Sequence, residues 1–283
     1  MEDNKDWDIY IQPESPWFEL RLKEVWRYKD LIYMFIKRDF VAQYKQTILG
    51  PLWFIIQPLI TTLTYVIVFG NIANLSTDGQ PKLLFYMSGI LFWNYFSTSF
   101  LRTSETFSAN AGIFGKVYFP RLTVPIASVC SSFISFLIQF LLLLIIYAAY
   151  ILNGLSFEWN WAMLLLPVLM ILSAVQALGF GIIISSMTTK YRDLKYLISF
   201  GIQLLMYATP VVYPLSAVTD VRLAWILKLN PMTAIIETFR YALLGSGTLN
   251  VSLLIYSSVI SFVVLLLGMS VFNRVQKNFM DTI

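Results

Sequence analysis

The 283-residue chain contains no histidine and a single cysteine, Cys130, and only 13% of its residues are charged. Each shortage removes a class of chemistry. Without histidine, the commonest general base and the commonest transition-metal ligand are missing. One cysteine permits neither an internal disulfide nor a cysteine-rich metal site. Soluble domains carry about 25% charged residues; here charge is scarce while hydrophobic residues reach 58% and the mean hydropathy is +0.69. That balance defines an integral membrane protein.

What is present is a series of long uncharged runs, at 46–77, 83–101, 122–157, 159–189, 196–219 and 241–273. A bilayer crossing needs about 20 mostly apolar residues. Trimmed at polar and turn residues, the runs predict an all-α membrane protein with six transmembrane helices near 50–72, 83–101, 122–151, 162–186, 197–213 and 251–272. The fifth is the shortest. Residues 1–19 are acidic and polar rather than basic then apolar, so no cleaved signal peptide is expected and the first span stays in the mature chain. Residues 1–49 are expected to form a cytoplasmic N-terminal segment, 50–272 the transmembrane domain and 273–283 a cytoplasmic tail.

Lysine and arginine set the orientation, because they are retained on the cytoplasmic side. With six spans, the side holding both termini and the 102–121 and 187–196 loops carries sixteen of these residues. The other side carries only Lys82, Arg222, Lys228 and Arg240. Both termini are therefore expected in the cytoplasm.

Residues 16–46 read as an amphipathic basic helix lying along the inner membrane face. Ser15 and Pro16 mark its start, with Glu19 in the first turn. Leu22, Val25, Trp26, Ile32, Ile36, Phe40 and Tyr44 recur at helical spacing, with Lys23, Arg27, Arg38 and Lys45 between them. Such a helix is either an interfacial anchor or a platform shared between lipid and a soluble partner.

The stretch AGIFGKVYFPR, 111–121, raises the question of nucleotide binding. A phosphate-binding loop reads G-x-x-x-x-G-K-[ST] between a strand and a helix. Here Asn110 stands five before Gly115, and Val117 replaces the hydroxyl residue that would hold magnesium. The surrounding loop is also too short for a nucleotide-binding fold, so this chain is not expected to hydrolyse ATP. Its residues, opening polar, breaking at Gly112 and Gly115 and re-entering the bilayer through Tyr118, Phe119 and Pro120, read instead as a short cytoplasmic helix presenting a small knob. An ordinary loop anchored by interfacial aromatics is the alternative.

Four segments now carry a resemblance: RDFVAQYKQTILGPLWFIIQP (38–58), KVYFPRLTVP (116–125), TTKYRDLKY (188–196) and LNPMTAIIETFRYALLG (229–245). They resemble the membrane subunits of type-2 ATP-binding-cassette exporters, most of all the O-antigen and related polysaccharide exporters, over about residues 15–275. The resemblance implies a homodimer of this chain joined by two copies of a separate ATPase subunit, with ATP and Mg bound on that partner and no cofactor on this chain. It also implies a bacterial cytoplasmic (inner) membrane location. The N-terminal helix and the loop between spans two and three would be the docking surface. On that basis Phe107, Gly112, Phe114, Gly115, Lys116, Tyr118 and Arg121 are the ATPase-coupling residues.

Ionisable groups are nearly absent from the spans, which leaves ion-coupled transport without residues to carry it. Aromatics reach 16%. Trp53, Phe54 and Tyr65 on span one, Phe92, Trp93 and Tyr95 on span two, and Tyr207 and Tyr213 on span five are candidates for a substrate path, since sugar rings stack on aromatic faces. Interfacial anchoring is the competing reading of these rings. In the outer segment 210–250, Pro210 and Pro214 end span five, 222–229 forms a short apolar helix, and Gly245 closes a second helix begun at Pro231. Glu237 and Arg240 can pair at i, i+3. A full span through them would bury both charges, so two short helices re-entering the outer leaflet are expected; the resemblance makes them an outer gate, with Pro210, Pro214, Glu237 and Arg240 as its residues. Helices lying flat at the surface are the alternative.

The expected function is that of the permease subunit of an ATP-driven exporter of lipid-linked polysaccharide, in contact with membrane lipids and with no nucleic acid. Teichoic acid, capsule or a small lipid or drug are alternative cargoes. A membrane-embedded glycosyl- or acyltransferase is the rival class, and it lacks an evident catalytic cluster.

Overall fold

The computed structural model describes residues 22–155, 160–188, 191 and 193–278. The expected helix start at Ser15 and Pro16, and Lys190 and Arg192 of the third motif, lie outside the described residues. Eleven α-helices are formed among the described residues: α1 (Leu22–Arg27), α2 (Lys29–Tyr44), α3 (Trp53–Tyr65), α4 (Lys82–Ser104), α5 (Thr106–Phe114), α6 (Thr123–Leu152), α7 (Leu166–Thr188), α8 (Leu194–Tyr207), α9 (Val221–Leu229), α10 (Pro231–Leu244) and α11 (Val251–Asn278).

Among the described residues, four helical stretches are long and apolar enough to cross a membrane: Gly50–Ile72, Thr123–Leu152, Trp161–Thr188 and Val251–Gln276. The first is not one regular helix. It begins with a 3-10 turn at Gly50–Leu52, continues as α3, and ends in a π-helical turn over Val66–Ile72. The wide turn leaves the Gly70 carbonyl and the Asn71 side chain accepting from Lys82 Nζ at 2.7 and 2.9 Å, which ties the end of this stretch to the start of α4. Helix α4 is 23 residues long but more polar than those four, and most of it is covered by neighbouring helices.

The fifth apolar run is shorter than expected. Helix α8 ends at Tyr207 rather than reaching 213. The residue before a proline is pushed out of the α region, and Pro210 and Pro214 punctuate the chain that follows. That chain turns irregularly, with the Val211 N–H donating to the Thr209 carbonyl at 2.7 Å.

Helix α7 is the centre of the packing, lying against α4 and α11, while α4 also packs on α6 and α10 on α11. Glycine makes the α7–α11 approach possible. A Cβ on Gly179 would stand 2.8 Å from the Leu265 nitrogen, and one on Gly268 would stand 2.8 Å from the Gly179 carbonyl. Small residues of this kind let membrane helices approach backbone to backbone. The main core joins α4, α6, α7 and α10. A second cluster joins α2, α5, α6 and α11 around Phe35, Phe107, Phe114, Phe119 and Phe272.

The N-terminal helix is kinked at Tyr28, between α1 and α2. Its buried side differs from the expected stripe. Val25 and Phe35 are buried, whereas Trp26, assigned to the apolar face, is 74% exposed. Phe35 packs on Phe119 at 5.8 Å, so the helix is positioned by the loop before α6 as well as by amphipathicity.

Candidate transport path and coupling surface

The loop after α4 forms helix α5, which runs straight through Gly112 and ends at Gly115. The expected break at Gly112 does not occur, because an exposed glycine weakens a helix by only about 1 kcal/mol. The seven coupling candidates divide by side. Phe107 and Phe114 point inward: Phe107 stacks on Phe272 of α11 at 4.7 Å and meets Phe114 edge-on at 6.0 Å. They anchor the helix and present no ring to a partner. Gly112, Gly115, Lys116 and Tyr118 are exposed, Tyr118 at 78%. Arg121 lies between the two groups, its guanidinium over the Phe114 ring at 5.6 Å and donating to the Gln276 carbonyl. Partial burial pushes that guanidinium down from its ordinary value. The result is an exposed knob pinned to the end of α11.

The eight aromatic path candidates do not form one wall. Phe92 and Trp93 are buried in the helix core, Phe92 at 4.5 Å from Phe239 and 5.2 Å from Phe136. Tyr65, Tyr207 and Tyr213 gather near α8: the Tyr65 hydroxyl donates to Met206 Sδ at 3.5 Å, and that of Tyr213 donates to the Tyr207 carbonyl at 2.8 Å. Trp53, Phe54 and Tyr95 line a cavity of about 380 Å³ between α2, α3, α4 and α6. Phe54 stacks on Phe40 of α2 at 5.1 Å, with ring planes 3° from parallel. Sequence reasoning missed the cavity's polar lining, which includes Gln57, Asn94, Thr98, Ser135 and Gln139. The signal was there: polar side chains one helical turn apart inside otherwise apolar spans.

The outer segment forms α9 and α10, two short helices separated by Asn230. Asn230 caps α10 by accepting from the Met232 N–H at 3.0 Å, Pro231 supplies the first turn, and Gly245 closes the helix at φ 70°. Glu237 and Arg240 pair, at 3.8 Å, but the expectation that short helices would spare them burial fails: they are 3% and 1% exposed. The reason is that protein, not lipid, covers them. Arg240 donates to the carbonyls of Pro210 and Val211 and to Ser88 Oγ, and its guanidinium lies 3.8 Å from the Phe85 ring centroid. Glu237 accepts from the backbone N–H groups of Leu215 and Thr248, both at 3.3 Å. Burial pushes the Glu237 carboxyl up, while Arg240 and the two amides pull it down. Pro210 and Pro214 are themselves buried, so the pair fixes the chain between α8 and α9 to α4 and α10. Gly89 makes room: a Cβ there would meet the Arg240 guanidinium.

A helical chain with four apolar stretches of spanning length and a loop knob pinned to its last helix has the outline of a polytopic membrane subunit. The family model for ABC-2 type transporters matches residues 30–244, and the chain belongs to that family. It is 29% identical over 255 residues, covering 89% of this chain and 94% of the relative, to an O-antigen export system permease protein RfbA of Klebsiella pneumoniae. A protein of the same description from Myxococcus xanthus is 27% identical over 264 residues, 93% and 98% of the two chains. The polysialic acid transport protein KpsM of Escherichia coli is 22% identical over 241 residues, 83% and 90% of the two chains.

Proposed function

We propose that this chain is the permease subunit of an ATP-driven exporter that moves a lipid-linked polysaccharide of the O-antigen kind across the bacterial cytoplasmic membrane. The observation that carries the reading is near-full-length similarity to O-antigen export permeases, in a chain whose own family is that of ABC-2 transporters. Two copies assemble with two copies of a separate ATPase, which binds ATP and Mg; this chain carries no cofactor.

In this reading α3, α4, α6, α7, α8 and α11 are the six spans, within a transmembrane domain over 50–272. The N-terminal segment 1–49 and the tail 273–283 lie in the cytoplasm, and α9 and α10 re-enter from the outer face as a gate. The biased distribution of lysine and arginine supports that orientation. The exposed end of α5 and the turn that follows it, from Gly112 to Tyr118, receive the stroke of the ATPase. Phe107, Phe114 and Arg121 carry it to α11. Trp53, Phe54 and Tyr95 lie on the path of the glycan.

The test is made in cells deleted for the gene. Reintroduced wild type should restore surface polysaccharide, and the tagged chain purified from native membrane should bring with it an equimolar P-loop ATPase. Restored surface polysaccharide without any ATPase, or an ATPase without a change in polysaccharide, would overturn the assignment.

A further inference from the structure

The cavity between α2, α3, α4 and α6 is built from groups that a bilayer penalises. Gln57 comes from α3, Asn94 and Thr98 from α4, and Ser135 and Gln139 from α6. Residues four apart share a helix face, so α4 and α6 each turn a polar strip toward the same space. The buried Ser135 Oγ has no hydrogen-bond partner among the described residues. The side-chain hydrogen bonds that reach Gln57 and Asn94 end on their backbone carbonyls, from Thr61 at 3.0 Å and Ser97 at 3.3 Å, so that among the described residues neither the exposed Gln57 carboxamide nor that of the half-buried Asn94 is hydrogen-bonded. Pro58, also on the wall, has no N–H to give the Phe54 carbonyl one turn back. Unpaired polar groups at membrane depth require a polar occupant.

The lining also states the occupant's charge. No Asp, Glu, Lys or Arg is among the described residues that line the cavity. A phosphate or carboxylate would enter without a counter-ion, which membrane interiors disfavour strongly. A neutral sugar fits: its hydroxyls donate and accept, as carboxamides and serine do. Its C–H face can lie against Trp53, 42% exposed at the rim, while Tyr95 and Phe136, with rings 5.0 Å apart, are buried on each other behind it. The volume, about 380 Å³, falls within the range of ligand pockets. At a rise of 1.5 Å per residue, Asn94 lies about 15 Å along α4 from its Ser104 end, and Ser135 about 18 Å along α6 from its Thr123 end. A sugar reaches that depth when a lipid carries it.

We propose that this cavity binds an uncharged saccharide of the lipid-linked cargo, within the half of the membrane next to the N-terminal segment. The inference rests on the exporter reading above and names the site at which that cargo is recognised.

The test uses the full chain in lipid nanodiscs, with Cys130→Ser and Gln139→Cys, and follows the rate of labelling by a small neutral maleimide. Dodecyl maltoside and dodecylphosphocholine share a chain and differ in headgroup, neutral disaccharide against charged phosphate. Near ten times its dissociation constant, the maltoside should slow labelling by about tenfold, while the phosphocholine leaves it nearly unchanged. The added pair Gln57→Leu and Asn94→Leu should abolish the protection. Equal protection by both amphiphiles, or by neither, overturns the proposal. If Gln139→Cys does not reach the membrane, Thr98→Cys, exposed on the same lining, reports the same site. A parallel arm measures surface polysaccharide in cells lacking the gene. Failure of wild type to restore it sinks the exporter reading and leaves the labelling result standing. Normal export by a well-expressed Gln57→Leu, Asn94→Leu variant that has lost protection means that the cavity binds sugars but not the cargo.

Discussion

Replacing Arg240 by methionine keeps most of the side-chain volume and removes the cation from the most enclosed polar site in the outer segment. Glu237 then keeps two backbone amides but loses its ion-pair partner at 3.8 Å. The carbonyls of Pro210 and Val211 lose their donors at the same time. Breaking a buried ion pair from one side costs about 3–5 kcal/mol. Each orphaned carbonyl adds about 1–3 kcal/mol, offset in part as the 208–214 chain relaxes. A loss of about 4 kcal/mol is expected, and at roughly 2–4 °C per kcal/mol for a chain of this size the melting temperature should fall by about 10 °C. Tryptophan fluorescence during heating in nanodiscs measures it. Adding Glu237→Gln should recover more than half of the loss, because it removes the stranded charge. Gly89→Ala offers an independent route to the same site, since its Cβ would stand 2.7 Å from the Val211 carbonyl and against the guanidinium. An Arg240→Met protein melting within about 2 °C of wild type would refute the reasoning.

Other expectations separate surface from core. The purified chain alone should bind no ATP by calorimetry, given Asn110 and Val117 at the failed phosphate-loop positions; stoichiometric binding would contradict this. Gly112→Trp should melt like wild type, because a Cβ there meets nothing within 4 Å, yet surface polysaccharide should drop sharply if α5 receives the ATPase. Phe107→Ala should destabilise by about 3–5 kcal/mol through the cavity left beside Phe272, a loss read by melting. Gly179→Leu should prevent the α7–α11 approach and lower the yield of folded protein, whereas Gly201→Ala, with open space around its Cβ, should be neutral or slightly stabilising.

The aromatic reading shows where local pattern stops being informative. Trp53 and Trp93 look alike in sequence, each an indole inside an apolar run. In the fold Trp53 is 42% exposed at the rim of the cavity and Trp93 is 4% exposed, 5.7 Å from Phe96. Replacing both would mix a surface effect with core damage. Phe107 and Tyr118 make the same contrast in the coupling loop. Both are aromatic and near a glycine, but one is an anchor and the other an exposed tip.

Composition and apolar runs alone determined that the chain is a helical membrane protein with a basic amphipathic leader, because a lipid solvent rewards unbroken hydrophobic length whatever the partners. Asn230, Pro231 and Gly245 likewise set the bounds of α10 in advance, since caps act over a few residues of backbone. Only the tertiary structure decided which residues share a space. The sequence places Glu237 and Arg240 one turn apart, but their burial depends on Phe85 and Val211, far away along the chain. The cavity is a stronger case: Gln57, Asn94 and Ser135 belong to three helices, and no single helix carries the information that all three face one void. Period and propensity are properties of neighbours in sequence, whereas burial and shared cavities follow from how helix faces dock, and that is set by the whole packing at once.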